Sequence, residues 1–321
     1  METSLTGIKP SGTVHIGNYL GAIVPAIEMA QRYERSLYFI ADEHALTTVQ
    51  DSAKLRAMIY DLAAAWLACG LDPERTLFYR QSSIPEVFEL AWILGCVAPK
   101  GLLDRAHAYK AAVAAGESIN AGVYTYPVLM AADIILFDTT VVPVGKDQKQ
   151  HVEIARDLAL KFNHVFGETL VPPEPEIRDE VMTIPGLDGR KMSKSYDNVI
   201  PLFAPADELR KLVMRIKTNS QAPEEPKDPQ TSEIFQLYRL FATPEQTEEL
   251  RARYAAGIGW AKAKEALHAA MEHRLAPLRE RYEALRADEG ALDRILAQGA
   301  ERARVIAGGT MARVRKAVGL A

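Results

Sequence analysis

Cysteine is nearly absent: 2 of 321 residues, Cys69 and Cys96. Two thiols exclude a four-cysteine zinc or iron–sulfur centre within one chain. Each stands alone in an apolar helical pattern, which fits buried thiols in a reducing compartment better than a disulfide. Long apolar runs are missing too. The most apolar stretch, Pro127 to Val144, is broken by Asp133, Asp138 and Pro143, so it reads as core and not as a membrane span. No basic segment followed by an apolar run comes after Met1, so a secretory signal is not expected. These absences point to a cytoplasmic chain without a membrane partner. A strong excess of one charge is also lacking: the net charge is −4, which excludes a chain-wide nucleic-acid footprint. There is no repeat of solenoid period and no low-complexity tract.

The charge that is present is uneven. From Arg251 onward there are 14 Lys and Arg against 8 Asp and Glu, leaving a net −10 on the preceding residues. A basic C-terminal part suits a phosphate backbone, although solvated helix faces would have the same composition. The first half alternates short strands with helices. Strands are expected near Ser4–Ile8, Leu37–Ala41, Thr76–Arg80 and Thr140–Pro143. Helices are expected at about His15–Glu34, Ser52–Cys69, Pro85–Val97, Pro127–Phe137 and Asp147–Phe162. Short apolar strands without polar alternation, set between helices, signify a parallel sheet covered on both faces. The fold class is therefore α/β, a Rossmann-like doubly wound parallel sheet that binds ligands at the carboxyl ends of its strands. Residues 100–125 look like a crossover insertion, and the proline-rich stretch Leu170–Gly189 like a connector. Beyond about residue 190 the texture is helical, over 205–217, 230–256 and 259–318. The expected division is a catalytic domain over 1–188, an α-helical domain over 189–285, and a last helical segment over 286–321.

Two motifs carry the chemistry. Pro10-Ser11-Gly12-Thr13-Val14-His15-Ile16-Gly17-Asn18 lies between the first strand and first helix. Glycines let backbone approach a phosphate, and a helix N-terminus supplies free N–H groups. His15 and Asn18 add side-chain donors. A tight turn with a capping residue is the plainer alternative. The second motif is Lys191-Met192-Ser193-Lys194-Ser195. A given five-residue string falls at a given place with odds on the order of 10⁻⁶ to 10⁻⁷, so chance is a poor explanation. Two lysines on a polar loop suit a migrating polyphosphate charge, and Gly186 and Gly189 just before it would permit movement.

Together the motifs resemble the HIGH and KMSKS signatures of class I aminoacyl-tRNA synthetases, the first in its HIGN form. The segments Asp42–Thr47, Gln81-Ser82, Ala121-Gly122, Thr125–Ile134 and Val142–His151 resemble the bacterial-type tryptophanyl branch. The resemblance implies ATP-dependent activation of L-tryptophan and its transfer to tRNA(Trp), with Mg²⁺ accompanying ATP. It also implies an anticodon-reading helical domain, a last helix that returns to the catalytic domain, and a homodimer. It makes His15, Asn18, Lys110, Lys191, Lys194 and Ser195 the catalytic set. Lys9, Ser11, Gly12, Thr13, Gly17, Gly145, Gln148, Met192 and Ser193 would join them around ATP, with Asp147 on the ribose. No fixed metal site in the protein is implied. For tryptophan the resemblance implies Asp133 as indole acceptor and Met130, Val142 and Val144 as walls. Leu5, Gly7, His44, Tyr126 and Gln148 complete that pocket. Indole offers one donor and no acceptor, so one buried acceptor among apolar walls is what its recognition requires.

The chain departs from the family pattern at Leu5, Ala108, Lys146 and the stretch Glu180–Arg190, which suggests a sub-branch. Three other readings compete. A tyrosyl-tRNA synthetase would also use an aspartate, for a phenol. A small-molecule nucleotidyltransferase would lack the lysine loop and the helical part. A non-catalytic paralogue binding tRNA or protein would be expected to lose His15 or the lysines, and all are present.

Overall fold

The computed structural model describes residues 1–114, 119–177 and 183–321, without the side chains at 107, 108, 111, 112 and 147. Five parallel strands form one sheet in the order β3-β2-β1-β4-β5. These are β1 (Thr3–Ile8), β2 (Arg35–Ile40), β3 (Thr76–Arg80), β4 (Val141–Val144) and β5 (Glu174–Ile177). The strands step outward one way from β1 to β3 and the other way from β4 to β5. The reversal opens a crevice between the carboxyl ends of β1 and β4, the place where such sheets take ligands.

The strands are apolar on both faces, as the sequence requires. In β2, Leu37 and Phe39 enter one core while Tyr38 and Ile40 enter another. In β3, Leu77 and Tyr79 join the first and Phe78 the second. Burying a side chain of this size contributes about 1.5–3 kcal/mol, so neither face of the sheet can be left to solvent.

Helical segments follow or separate the strands of the N-terminal half. After β1 come α1 (Ile16–Asn18), a π-helical turn over Tyr19–Ile23, and α2 (Val24–Ala30). A single helix over His15–Glu34 was expected. The difference centres on Pro25, which has no N–H and whose ring crowds the carbonyl four residues back; the widened turn just before it accommodates both. After β2 come α3 (Asp42–Ala45) and α4 (Ser52–Ala68). Between β3 and β4 lie α5 (Glu86–Val97), α6 (Lys100–Asp104), α7 (His107–Ala114) and α8 (Ala121–Ile135). Helix α8 begins six residues before Pro127 because Asn120 caps it, its side chain accepting the Val123 N–H at 2.9 Å. Pro127 then sits inside the helix. The stretch 100–125 is thus largely helical among the described residues. Helix α9 (Lys149–Phe166) leads to β5, an edge strand in the segment expected to be a connector. Pro175 obscures it in the sequence, and a proline is tolerated there because an edge strand has a side with no ladder bond to lose.

The remainder is helical, with α10 (Ala206–Met214), α11 (Glu233–Tyr238), α12 (Pro244–Ala256), α13 (Trp260–Ala287) and α14 (Glu289–Val318). Asp288 separates α13 from α14. Its side chain accepts the Ala291 N–H at 2.8 Å and starts α14 anew. Helix α14 lies along β3 and places Ala300, Ala303, Ala307, Met311 and Val314 in the core of the sheet. It thereby covers an edge strand that would otherwise offer unpaired backbone. A separate core joins α10, α11 and α13 to Ile16, Tyr19 and Met192. No helix among the described residues is long and apolar enough to cross a membrane.

Candidate active site

The loop after β1 forms one wall of the crevice. Gly12 has φ +88°, a conformation that side chains rarely adopt. His15 is buried and caps α1: its Nδ1 accepts the Asn18 N–H at 3.2 Å, and Asn18 Oδ1 accepts the His15 N–H at 3.1 Å. Because Nδ1 is an acceptor, a neutral His15 carries its proton on Nε2. Burial, and secondarily the Lys194 charge, pull its pKa from 6.5 down to about 4. The ring is therefore a neutral Nε2–H donor at physiological pH. The turn-with-cap reading of this motif holds through Nδ1, and Nε2 carries the ring's one N–H donor.

The lysine loop closes on this wall. Lys194 donates from Nζ to the Ser11 carbonyl at 2.7 Å, and burial pushes its pKa down. Met192 is buried, and its Sδ accepts the Gly17 N–H at 3.3 Å. A Cβ at Gly17 would stand 2.9 Å from His15 Nδ1, so only glycine lets these pieces meet. Ser193 and Ser195 share a hydroxyl hydrogen bond of 2.8 Å. Lys191 and Thr13 are exposed. Lys9 donates to Thr47 Oγ1 at 3.3 Å, and burial lowers its pKa. Lys110 is exposed on α7. The side chain of Asp147, and that of Ala108, lie outside the described residues, as does part of Glu180–Arg190. Lys146 is exposed beside Asp147.

Behind the crevice lies a cavity of about 280 Å³ lined by Leu5, Gly7, Phe39, Met130, Val142 and Val144, among others, with Gly145 and Gln148 at one side. A side chain at position 7 would collide with the Phe39 ring, 2.6 Å from its Cβ. Asp133 opens on this space and is 2 % exposed. Its Oδ2 accepts from His44 Nε2 and Gln81 Nε2, both at 2.9 Å, while Oδ1 accepts from Gln81 Nε2 at 3.0 Å. Burial raises its pKa, opposed by His44 and Gln81. Tyr126 and His44 stand behind the lining, their rings edge to face. Tyr126 OH donates to His151 Nε2 at 2.8 Å, and His151 Nδ1 donates to Gln148 Oε1 at 2.8 Å.

The structure thus brings His15, Asn18, Gly17, Met192 and Lys194 together around one loop. It gathers Leu5, Gly7, Met130, Asp133, Val142, Val144 and His44 around one cavity. Two residues were not singled out as site residues from sequence. Gln81, fully buried, orients Asp133; its side-chain Oε1 accepts the His44 N–H at 3.2 Å. Asn198, 1 % exposed, bonds the lysine loop from below. A buried amide three residues past the lysine string gives no sequence signal beyond its type.

A crevice walled by the lysine loop and the ring N–H of a neutral His15, beside an apolar cavity with a buried acceptor, defines an enzyme that presents a nucleotide to an aromatic substrate. Residues 2–276 match the model of the family described as tRNA synthetases class I (W and Y), and the chain belongs to that family. It is 53% identical over 327 residues to the tryptophan–tRNA ligase of Xanthomonas campestris pv. campestris, across 98% of this chain and 76% of the relative. It is equally identical over 328 residues to that of Pseudomonas aeruginosa, across 98% and 73%. The tryptophanyl-tRNA synthetase of Campylobacter jejuni, solved with ADP and tryptophan, superposes with a TM-score of 0.95 at 45% identity, across 99% of this chain and 100% of that one.

Proposed function

We propose that the protein activates L-tryptophan with ATP and transfers it to tRNA(Trp). The observation that carries this reading is Asp133, a buried acceptor set in an otherwise apolar cavity. Tryptophan sits with its indole N–H on Asp133 Oδ1, the oxygen with one protein partner rather than two. Met130, Val142 and Val144 close on the ring. Gln148, at the edge of the cavity, is proposed to meet the ammonium group, with Tyr126 and His44 assigned near the ring and amino group by the sequence resemblance.

The α-carboxylate oxygen attacks the α-phosphorus of ATP. That bond forms as the bond to the bridging oxygen breaks, and diphosphate departs with its electron pair. No covalent enzyme intermediate is needed, so positioning and charge stabilisation are the whole of the catalysis. His15 Nε2–H, the Asn18 amide, Lys191, Lys194 and Ser195 take the phosphate oxygens, and Lys110 joins from α7. The ribose role of Asp147 rests on sequence resemblance. A terminal ribose hydroxyl of the tRNA then attacks the adenylate carbonyl and AMP leaves. Lys191, Lys194 and Ser195 offer cationic or neutral donors, and no three His, Cys, Asp or Glu side chains converge among the described residues. Mg²⁺ is proposed to accompany ATP, where it would supply charge neutralisation.

The α-helical part from about 189 to 285 is proposed to read the anticodon, and 286–321 to belong with the catalytic domain, a division supported by α14 lying on β3. A homodimer acting in the cytoplasm is proposed on the same family grounds. The test is ATP–diphosphate exchange with tryptophan, tyrosine or no amino acid. Exchange dependent on tryptophan alone supports the proposal. Exchange with tyrosine would void the Asp133 argument, and none with either would favour a non-catalytic tRNA- or protein-binding role.

A further inference from the structure

The lysine loop is held by a side chain outside its motif. Asn198 is buried on the connection that leaves the loop. Its Oδ1 accepts the Ser193 N–H at 2.8 Å. Its Nδ2 donates to Asp188 Oδ1 at 2.7 Å and to the Lys191 carbonyl at 3.2 Å. Its own carbonyl accepts the Leu187 N–H at 3.0 Å. One amide therefore joins the turn before the lysines to the backbone on both sides of Met192. Asp188 in turn accepts the Arg190 N–H at 3.1 Å and Arg190 Nε at 2.6 Å. Its carboxyl is held down to about 2, foremost by the bond from Asn198.

Only a carboxamide fits these three partners. They comprise one donor and two acceptors, and a planar amide offers two donors and an acceptor on one short stem. Aspartate would face Asp188 with a second carboxylate, and alanine would leave the Ser193 N–H and Lys191 C=O without their partner. Gly186 has its explanation here. A Cβ at that position would lie 2.5 Å from Asn198 Cγ and Nδ2 and 2.7 Å from its carbonyl oxygen. The glycine expected to permit movement is instead where the backbone closes over the asparagine.

We infer that Asn198 is a positioning residue for adenylate formation: it sets the backbone between Lys191 and Lys194 so that both ammonium groups meet the phosphates leaving the α-phosphorus. It touches neither substrate, and it acts through the two lysines. The inference rests on the phosphate role proposed for them. A shift of about 1 Å in such groups can lower a rate by up to about 10²-fold, so a large kinetic effect is expected without loss of tryptophan affinity.

The experiment measures single-turnover adenylate formation, tryptophan binding and melting temperature for Asn198→Ala, Asn198→Asp and Lys194→Ala in the full-length protein. The expected result is a rate lower by about 10- to 10²-fold in both Asn198 variants, with tryptophan dissociation constants unchanged. In Asn198→Asp the rate should partly recover as pH falls, because protonating the new carboxyl restores a donor toward Asp188. A lowered melting temperature with an unchanged rate per folded molecule would overturn the inference while Lys194→Ala remains slow. Full rate in Lys194→Ala would remove the reading beneath it, and the inference with it. Should Asn198→Ala fail to fold, the rate and pH profile of Asn198→Asp decide, a flat profile at full rate counting against it.

Discussion

Gln81 donates from one side-chain nitrogen to both carboxylate oxygens of Asp133, at 3.0 and 2.9 Å. The same side chain is anchored at its other end, accepting the His44 N–H, while the His44 ring returns to Asp133. The carboxylate proposed to accept from the indole is thus fixed by a closed circuit of hydrogen bonds and not by its own rotamer alone. Each donor to the carboxylate favours its charged form, and burial opposes it.

Removing the carboxylate should therefore affect one substrate only. Asp133→Ala is expected to weaken tryptophan by about 10- to 100-fold, the equivalent of one charge-assisted hydrogen bond of roughly 1.5–3 kcal/mol. ATP affinity should stay as it was. The unaltered enzyme should reject an analogue without the indole N–H by about 10⁴–10⁵, and Asp133→Ala should lose most of that discrimination. Calorimetric titration with both ligands checks this; equal weakening of ATP would show that Asp133 supports the fold rather than the pocket.

Gln81→Met removes a donor to the charged carboxylate and so raises the Asp133 pKa further. Tryptophan affinity should then begin to fall at a higher pH than in the unaltered protein as the solution is acidified. A tryptophan dissociation constant with the same pH profile in both proteins would deny Gln81 this role.

His15 caps α1 through Nδ1, and the phosphate role proposed for it uses Nε2. Asn places an acceptor near the position of Nδ1 and has no counterpart of Nε2, so His15→Asn should keep the cap on Asn18 and lose the donor to phosphate. Adenylate formation is expected to fall by about 10²–10³-fold, the effect of one preorganised donor, with little change in stability at pH 7. The pH dependence has a definite sign. The folded pKa is depressed to about 4 from 6.5, so the unfolded chain takes up the proton first. The stability from neutral His15 is complete above pH 6.5 and declines as pH falls toward 4. Measured by urea unfolding, the stability of the unaltered protein relative to His15→Asn should decline over that interval. A constant difference would mean the ring titrates normally.

Much of this was legible in the chain because the physics is local. Non-alternating apolar strands such as Thr76–Arg80 announce a sheet covered on both faces, and Ser11–Asn18 announces a loop feeding a helix N-terminus. Asp133 stands out because a carboxylate amid Leu129–Leu136 has to be bonded. What failed to show was non-local or was hidden by a proline. β5 is made a strand by β4 across from Val142, not by its own Glu-Pro-Glu-Ile sequence. Helix α8 starts at Asn120, while Pro127 invites a later start. The glycine before the lysine loop looked like a hinge because a sequence does not reveal that Asn198 will lie against it.

Two glycines of one helix should respond in opposite directions to the same substitution. Gly299 and Gly308 both lie within α14, where alanine is favoured over glycine by about 1 kcal/mol when nothing intervenes. At Gly308 nothing stands within 4 Å of an added Cβ, so Gly308→Ala should stabilise the protein by up to that amount. At Gly299 the added Cβ would lie 1.9 Å from the Phe78 carbonyl oxygen and 2.7 Å from its carbon. That neighbour is backbone of β3 and cannot rotate away, so α14 would have to lift from the strand whose edge it covers. The expected cost is about 1–3 kcal/mol for overpacking of this kind, enough to exceed the gain in helix propensity. Urea unfolding of the two variants side by side reads the sign directly. A stabilised Gly299→Ala would mean that α14 does not approach β3 this closely, and that the edge strand is protected in some other way.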